Sequence, residues 1–167
     1  MGHVWLIGMM GSGKTSVGRV LADRLALPFY DTDATASANA GMPIVEIFER
    51  FGEQRFRDLE SRAVQAIAPQ ENGVVSTGGG VVLDPSNVEA MRDSGTTVLL
   101  EVDAATLVAR IAGTTDRPLV SVDPERYVRE IASARDEIYR RAADVVIDAA
   151  GSVDEVAHRV EAACSGS

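Results

Sequence analysis

Lysine is almost absent from this chain. Of its 16 basic residues only Lys14 is a lysine, and the rest are arginine. Cysteine occurs once, at Cys164, so no internal disulfide can form. The two histidines, His3 and His158, are far apart in sequence, which leaves no Cys/His spacing suited to a metal. His158 falls in a helical pattern and reads as a solvated surface residue. Positive charge is also short, with a net charge of −9. So acidic a body argues against nucleic acid and membrane surfaces as partners. No apolar run is long enough to span a bilayer. The N-terminus enters a short strand at once, which is not a signal-peptide pattern. Cytoplasm is the expected compartment.

What is present describes one folded unit. The chain has 167 residues, 46% hydrophobic and 25% charged, enough for a single domain with a sizeable core. Val4-Trp5-Leu6-Ile7 is a buried strand by its continuous apolar character. Further strands are expected at Pro28-Phe29-Tyr30, Val74-Val75-Ser76-Thr77, Val98-Leu99-Leu100-Glu101-Val102 and Val145-Val146-Ile147. Between them lie helical patterns. One follows Thr15, with Val17, Val20, Leu21 and Leu25 as its inner face. Another opens at Pro43, with Ile44, Ile47, Phe48 and Phe51 facing inward, and ends at Gly52. More follow over residues 53–68, 87–92, 104–112 and 153–163. This alternation predicts an α/β fold, a parallel sheet covered on both faces. Residues 113–123 have turn chemistry and no period, so they read as a mobile loop over the site or an ordinary surface connection.

Lys14 stands at an informative place. Gly8-Met9-Met10-Gly11-Ser12-Gly13-Lys14-Thr15 fits G-x-x-x-x-G-K-[ST], between a strand and a helix. Gly8, Gly11 and Gly13 let the backbone wrap closely around phosphate oxygens, and the helix N-terminus adds partial positive charge. The compact Lys ammonium can thread the loop, whereas a guanidinium is too wide. Thr15 would place its hydroxyl on Mg²⁺. A guanine-reading N-K-x-D is impossible, because the only lysine is already used. That removes the regulatory GTPases and leaves a small ATP enzyme.

Other candidates carry two readings each. Asp31-Thr32-Asp33 ends a strand at the sheet edge where ligands bind. One carboxylate could face a metal's water shell and the other a substrate hydroxyl, or the group could simply cap a helix. Gly78-Gly79-Gly80 offers bare amides to a ligand, or a flexible turn. Arg57 and Glu60 are helical neighbours, an anion-binding Arg held by an acid or a surface pair. Arg117, Arg135 and Arg140-Arg141 could be functional or merely solvated.

In this order the elements resemble shikimate kinase, from Val4 to Asp148. The resembling pieces are residues 8–15 with Val17-Gly18, Asp31-Thr32-Asp33 and Gly41-x-x-Ile44-x-x-Ile47-Phe48. Gly52-Glu53-x-x-Phe56-Arg57-x-x-Glu60, Ser76-Thr77-Gly78-Gly79-Gly80, Arg117-Pro118-Leu119, and Arg135 with Tyr139 complete the set.

The resemblance implies a fold like the P-loop nucleoside monophosphate kinases. It has a five-stranded parallel sheet flanked by helices, a lid at about 113–124 and a substrate-binding region at about 33–61. It implies Mg²⁺-dependent transfer of the ATP γ-phosphoryl to the 3-hydroxyl of shikimate by a cytoplasmic monomer. Lys14, Asp33 and Arg117 would be catalytic. Gly11, Ser12, Gly13, Lys14, Thr15, Ser16, Arg110 and Arg117 would bind ATP. Asp33, Phe48, Phe56, Arg57, Glu60, Gly78, Gly79, Gly80 and Arg135 would bind shikimate, with Glu60 orienting Arg57. Thr15, and Asp31 through water, would hold Mg²⁺. One departure stands out. The family's Pro-Leu before the tyrosine is replaced in Asp136-Glu137-Ile138, whose two acids could weaken Arg135 or simply face solvent. A kinase for another small hydroxy-carboxylate and a non-catalytic binding relative are the competing readings.

Overall fold

The structure is a computed structural model and describes residues 2–112 and 123–165. Arg117 and nearly all of the expected lid lie outside these residues.

Five strands form one sheet: β1 (His3–Ile7), β2 (Phe29–Asp31), β3 (Val74–Ser76), β4 (Gly95–Glu101) and β5 (Val145–Asp148). Their order is β2-β3-β1-β4-β5, and every neighbouring pair is parallel. The helices are α1 (Lys14–Leu25), α2 (Thr32–Ala40), α3 (Ile44–Ile67), α4 (Pro85–Ser94), α5 (Ala104–Ile111), α6 (Pro124–Ala142) and α7 (Val153–Ser165). A 3-10 turn spans Val81–Leu83. None of the described helices is long and apolar enough to cross a membrane.

Strand β1 shows why its sequence is apolar without interruption. Trp5 and Ile7 face one core, with Val64 and Ile67 of α3, Met91 of α4, Leu107 of α5 and Tyr139 of α6. Val4 and Leu6 face the other, with Val17 and Leu21 of α1 and Val156 and Val160 of α7. Alternate side chains point to opposite faces, and here both faces are covered. Each such aliphatic side chain contributes about 1.5–3 kcal/mol by leaving water.

Register then places the chemistry. Leu6 pairs with Ser76, and Ser76 with Asp31, so β1, β3 and β2 end at one level. The glycine loop after β1, the acid pair after β2 and the triple glycine after β3 therefore emerge side by side. β1 has β3 on one side and β4 on the other, so the crossovers change direction there, the usual place for a ligand crevice.

The structure agrees with the sequence reading at Gly52, sharpens it at α2 and corrects it at Phe51. The backbone of α3 breaks at Gly52, with φ 79° and ψ 176°, a region reserved for glycine. The helix expected to end there thus gives way to a second one. Helix α2 entered the sequence reading only as what Asp31-Thr32-Asp33 could cap, because Ala, Thr, Ser and Asn give it no apolar period. It packs Ala36 against Ile47, Phe56 and Leu59. Phe51, expected on the inner face, is 54% exposed. It stands one residue before the break, outside that small core, with the Arg50 guanidinium 5.4 Å from its ring centre.

Candidate active site

The phosphate loop is built around its lysine. Lys14 is only 8% exposed. Its ammonium donates to the carbonyls of Gly8 and Met9, both at 2.8 Å, and to Ser12 Oγ at 3.4 Å. Gly11 and Gly13 have φ of 84° and 92°, left-handed values that favour glycine, and Gly13 caps α1. Arg110, at the end of α5, donates to the Gly11 carbonyl at 3.0 Å, which sets it against the loop.

Asp31 divides its carboxylate between two tasks. Oδ1 accepts from the amides of Asp33 and Ala34 at 3.0 and 3.1 Å and so caps α2. Oδ2 accepts from the Thr15 hydroxyl at 3.3 Å, which also lies 3.1 Å from Ser76 Oγ. These are hard oxygen donors of the kind Mg²⁺ prefers. Among the described residues no three His, Cys, Asp or Glu side chains gather as a metal cage. Such a set suits an ion held mainly by water and phosphate. Ser76 carried no site role in the sequence reading. Its neighbours Thr15 and Asp31 are distant in sequence, and the β1–β3 and β2–β3 registers bring them to it.

Asp33, in the first turn of α2, reaches the same place. A cleft of about 250 Å³ is lined by Gly11, Gly13, Lys14, Thr15 and Ser16 on one side, and by Asp31, Asp33, Ser76, Thr77 and Gly79 on the other. The Cα of Gly78 faces the carboxylates of both Asp33 and Glu60, so a β-carbon there would strike them. The Gly78 amide donates to Thr32 Oγ1 at 3.0 Å, a second contact that sequence spacing did not reveal.

Arg57 sits beside this cleft. Nη1 donates to Glu60 Oε2 at 2.8 Å and Nη2 to Glu53 Oε1 at 3.3 Å. Burial pulls the Arg57 pKa down, but the charges and hydrogen bonds of Glu60 and Glu53 outweigh it, so it stands above its ordinary value. The guanidinium also lies 5.3 Å from the Phe56 ring centre, and Phe56 stacks on Phe48 at 4.8 Å. The Arg57 Nε is buried without a hydrogen-bond partner. The group rests on Gly80, where any β-carbon would clash with it. From the other side Arg135 Nη1 donates to the Gly79 carbonyl at 3.3 Å. Two arginines thus flank one peptide, the bond between Gly79 and Gly80.

The acids beside Arg135 turn elsewhere. Asp136 pairs with Arg140 at 3.2 Å, Glu137 pairs with Arg141, and both acids are exposed. Of the predicted site residues, Gly11, Gly13, Lys14, Thr15, Ser16, Asp31, Asp33 and Gly79 line the phosphate-loop cleft, Arg57, Glu60 and Gly80 line a second one, Phe56 is buried in the small core with Phe48 packed on it, and Arg117 lies outside the described residues.

A family model described as "Shikimate kinase" matches residues 10–165. The shikimate kinase of Caldanaerobacter subterraneus subsp. tengcongensis is 43% identical over 162 residues, covering 96% of this chain and 94% of that protein. The shikimate kinase of Acinetobacter baumannii, solved in complex with shikimate, superposes with a TM-score of 0.95 at 31% identity, covering 99% of this chain and 94% of that one. A gluconokinase from Sinorhizobium meliloti 1021 shares the fold alone, with a TM-score of 0.59 at 18% identity, over 99% and 92% of the two chains. The chain belongs to the shikimate kinase family.

Proposed function

We propose that this protein transfers the γ-phosphoryl group of ATP to the 3-hydroxyl of shikimate. The observation that carries this is the shared crevice. The phosphate loop, Asp33 and Gly79 line one cleft, and Arg57 and Arg135 flank the Gly79–Gly80 peptide at its edge. Phosphoryl transfer needs alignment and charge stabilisation more than covalent help from the protein.

Each residue then has a part. Lys14 and the amides of residues 11–16 hold the phosphates of ATP. Arg110, against the loop at Gly11, is placed to border the adenine. Arg117 is assigned to the transferring phosphoryl on its sequence position alone. The Asp33 carboxylate accepts a hydrogen bond from the attacking hydroxyl and aims its oxygen at phosphorus. Arg57 and Arg135 bind the shikimate carboxylate, for which planar guanidinium forks are well matched. Glu60 orients Arg57, Phe48 and Phe56 wall the ring, and the loop 78–80 lets backbone approach the substrate. Mg²⁺ would be held by Thr15 and, through water, by Asp31, and would supply positive charge to the phosphate oxygens. We further assign the protein to the cytoplasm as a monomer.

The test is an ADP-release assay with shikimate, quinate and gluconate as acceptors. Shikimate should give the highest kcat/KM. Turnover with another acid and none with shikimate would refute the assignment.

A further inference from the structure

Tyr139 has no part in the chemistry described so far, yet its hydroxyl ends at the centre of it. The side chain lies in the core and is 3% exposed. Its Oη donates to the Gly79 carbonyl, the oxygen that Arg135 also contacts from one turn earlier on α6. The same hydroxyl is 3.8 Å from Met9 Sδ in the phosphate loop. Burial pushes the phenol above its ordinary pKa, against the opposing charge of Arg135, so it remains a donor at neutral pH.

The reach of this contact follows from peptide geometry. The described peptide bonds are trans, so the Gly79 carbonyl and the Gly80 N–H lie in one plane and point in opposite directions. A carbonyl held toward α6 therefore turns the Gly80 amide away from α6. The loop is anchored before and after this plane. Thr32 holds the Gly78 amide at 3.0 Å, and Leu83 N donates to the Gly80 carbonyl at 3.0 Å. Between those anchors Gly79 has no side chain, and a β-carbon there would meet nothing closer than 3.5 Å. Packing alone leaves that plane free to rotate, as glycine permits. The Val81 amide closes this turn on the Gly78 carbonyl at 3.2 Å, and the Tyr139 hydroxyl and Arg135 both donate to the carbonyl of the plane itself.

We propose that Tyr139 is a positioning residue for the acceptor: its hydroxyl sets the Gly79–Gly80 peptide plane, and thereby the seat of Arg57 on Gly80 and the reach of Arg135. This rests on the kinase reading above. Tyr139 touches neither substrate; it acts through one backbone carbonyl.

Tyr139→Phe tests this, because the ring keeps its buried volume while the donor is removed. The KM for shikimate should rise about three- to tenfold, the span of one lost hydrogen bond, with kcat and the ATP KM within about twofold. The melting temperature should fall by only a few degrees. In an Arg135→Lys background the same change should cost less, since the two side chains share an acceptor. An unchanged shikimate KM would overturn the inference. So would equal losses for both substrates, or a collapse of the melting temperature, either of which assigns Tyr139 to the core alone. Wild-type protein is assayed first: absence of shikimate turnover there removes the kinase reading and this inference with it, whereas turnover with an indifferent Tyr139→Phe removes the inference only.

Discussion

Arg57 and Glu60 form an ion pair at 2.8 Å in which the acid is 1% exposed and the base partly open to the crevice. A carboxylate so deeply buried is tolerable only with charged partners close by. The pair is therefore directional: Glu60 anchors Nη1 from within, while Glu53 takes Nη2 at the surface.

Arg57→Ala should raise the shikimate KM by 30-fold or more, on the scale of about 2–5 kcal/mol for truncating one partner of a buried charge pair. The ATP KM should stay near its wild-type value, and the melting temperature should fall because Glu60 loses its nearest cation. Arg57→Lys restores the charge but not the fork, and should recover stability better than affinity. Steady-state kinetics with either substrate varied, beside a thermal melt, checks this. Equal losses for ATP and shikimate would make Arg57 a structural residue.

Lys14→Arg should abolish turnover although charge is conserved. The ammonium is held at 2.8 Å from two loop carbonyls, and a guanidinium cannot occupy that space. Calorimetric titration with shikimate should still show binding. Near-normal turnover in Lys14→Arg would contradict the assigned role of the single lysine.

Asp31 can be tested one oxygen at a time. Asparagine caps helices as well as aspartate, so Asp31→Asn should keep the melting temperature while raising the Mg²⁺ concentration needed for half-maximal rate. Asp31→Ala should lose the cap as well, at a cost of about 0.5–2 kcal/mol. If the Mg²⁺ dependence is the same in all three proteins, Asp31 is a cap and nothing more.

The three consecutive glycines should not respond alike. Gly79→Ala meets only ordinary contacts of 3.5 Å or more and should fold with little loss. Gly78→Ala forces apart Asp33 and Glu60, and Gly80→Ala displaces the Arg57 guanidinium. Each should cost about 1–3 kcal/mol of stability as an overpacked site. Denaturant melts of the three variants check the order, and an equally damaging Gly79→Ala would contradict it.

The sheet and the phosphate loop were legible in the sequence because their signals are local. β1 is apolar without interruption, and the spacing of the octet is itself the motif. Asp31 shows why local reading stalls elsewhere. Its two readings, helix cap and active-site acid, were set against each other, yet one oxygen caps α2 while the other reaches Thr15. Ser76 and Tyr139 were quoted as part of a pattern and given no role. Their partners lie 61 and 60 residues away, and only strand register and the docking of α6 bring them together. Phe51 fits the helical period of Ile44 and Ile47, but the period does not reveal that the small core ends before it. The question over Asp136 and Glu137 could not be answered from adjacency to Arg135, because in a helix their neighbours are four residues on, at Arg140 and Arg141.

A crystal structure with an ATP analogue and shikimate bound together tests the central claim most directly. The account predicts the shikimate carboxylate between Arg57 and Arg135, with the 3-hydroxyl at hydrogen-bond distance, about 2.6–3.2 Å, from the Asp33 carboxylate. A carboxylate bound away from both arginines, or a 3-hydroxyl out of reach of Asp33, would contradict it.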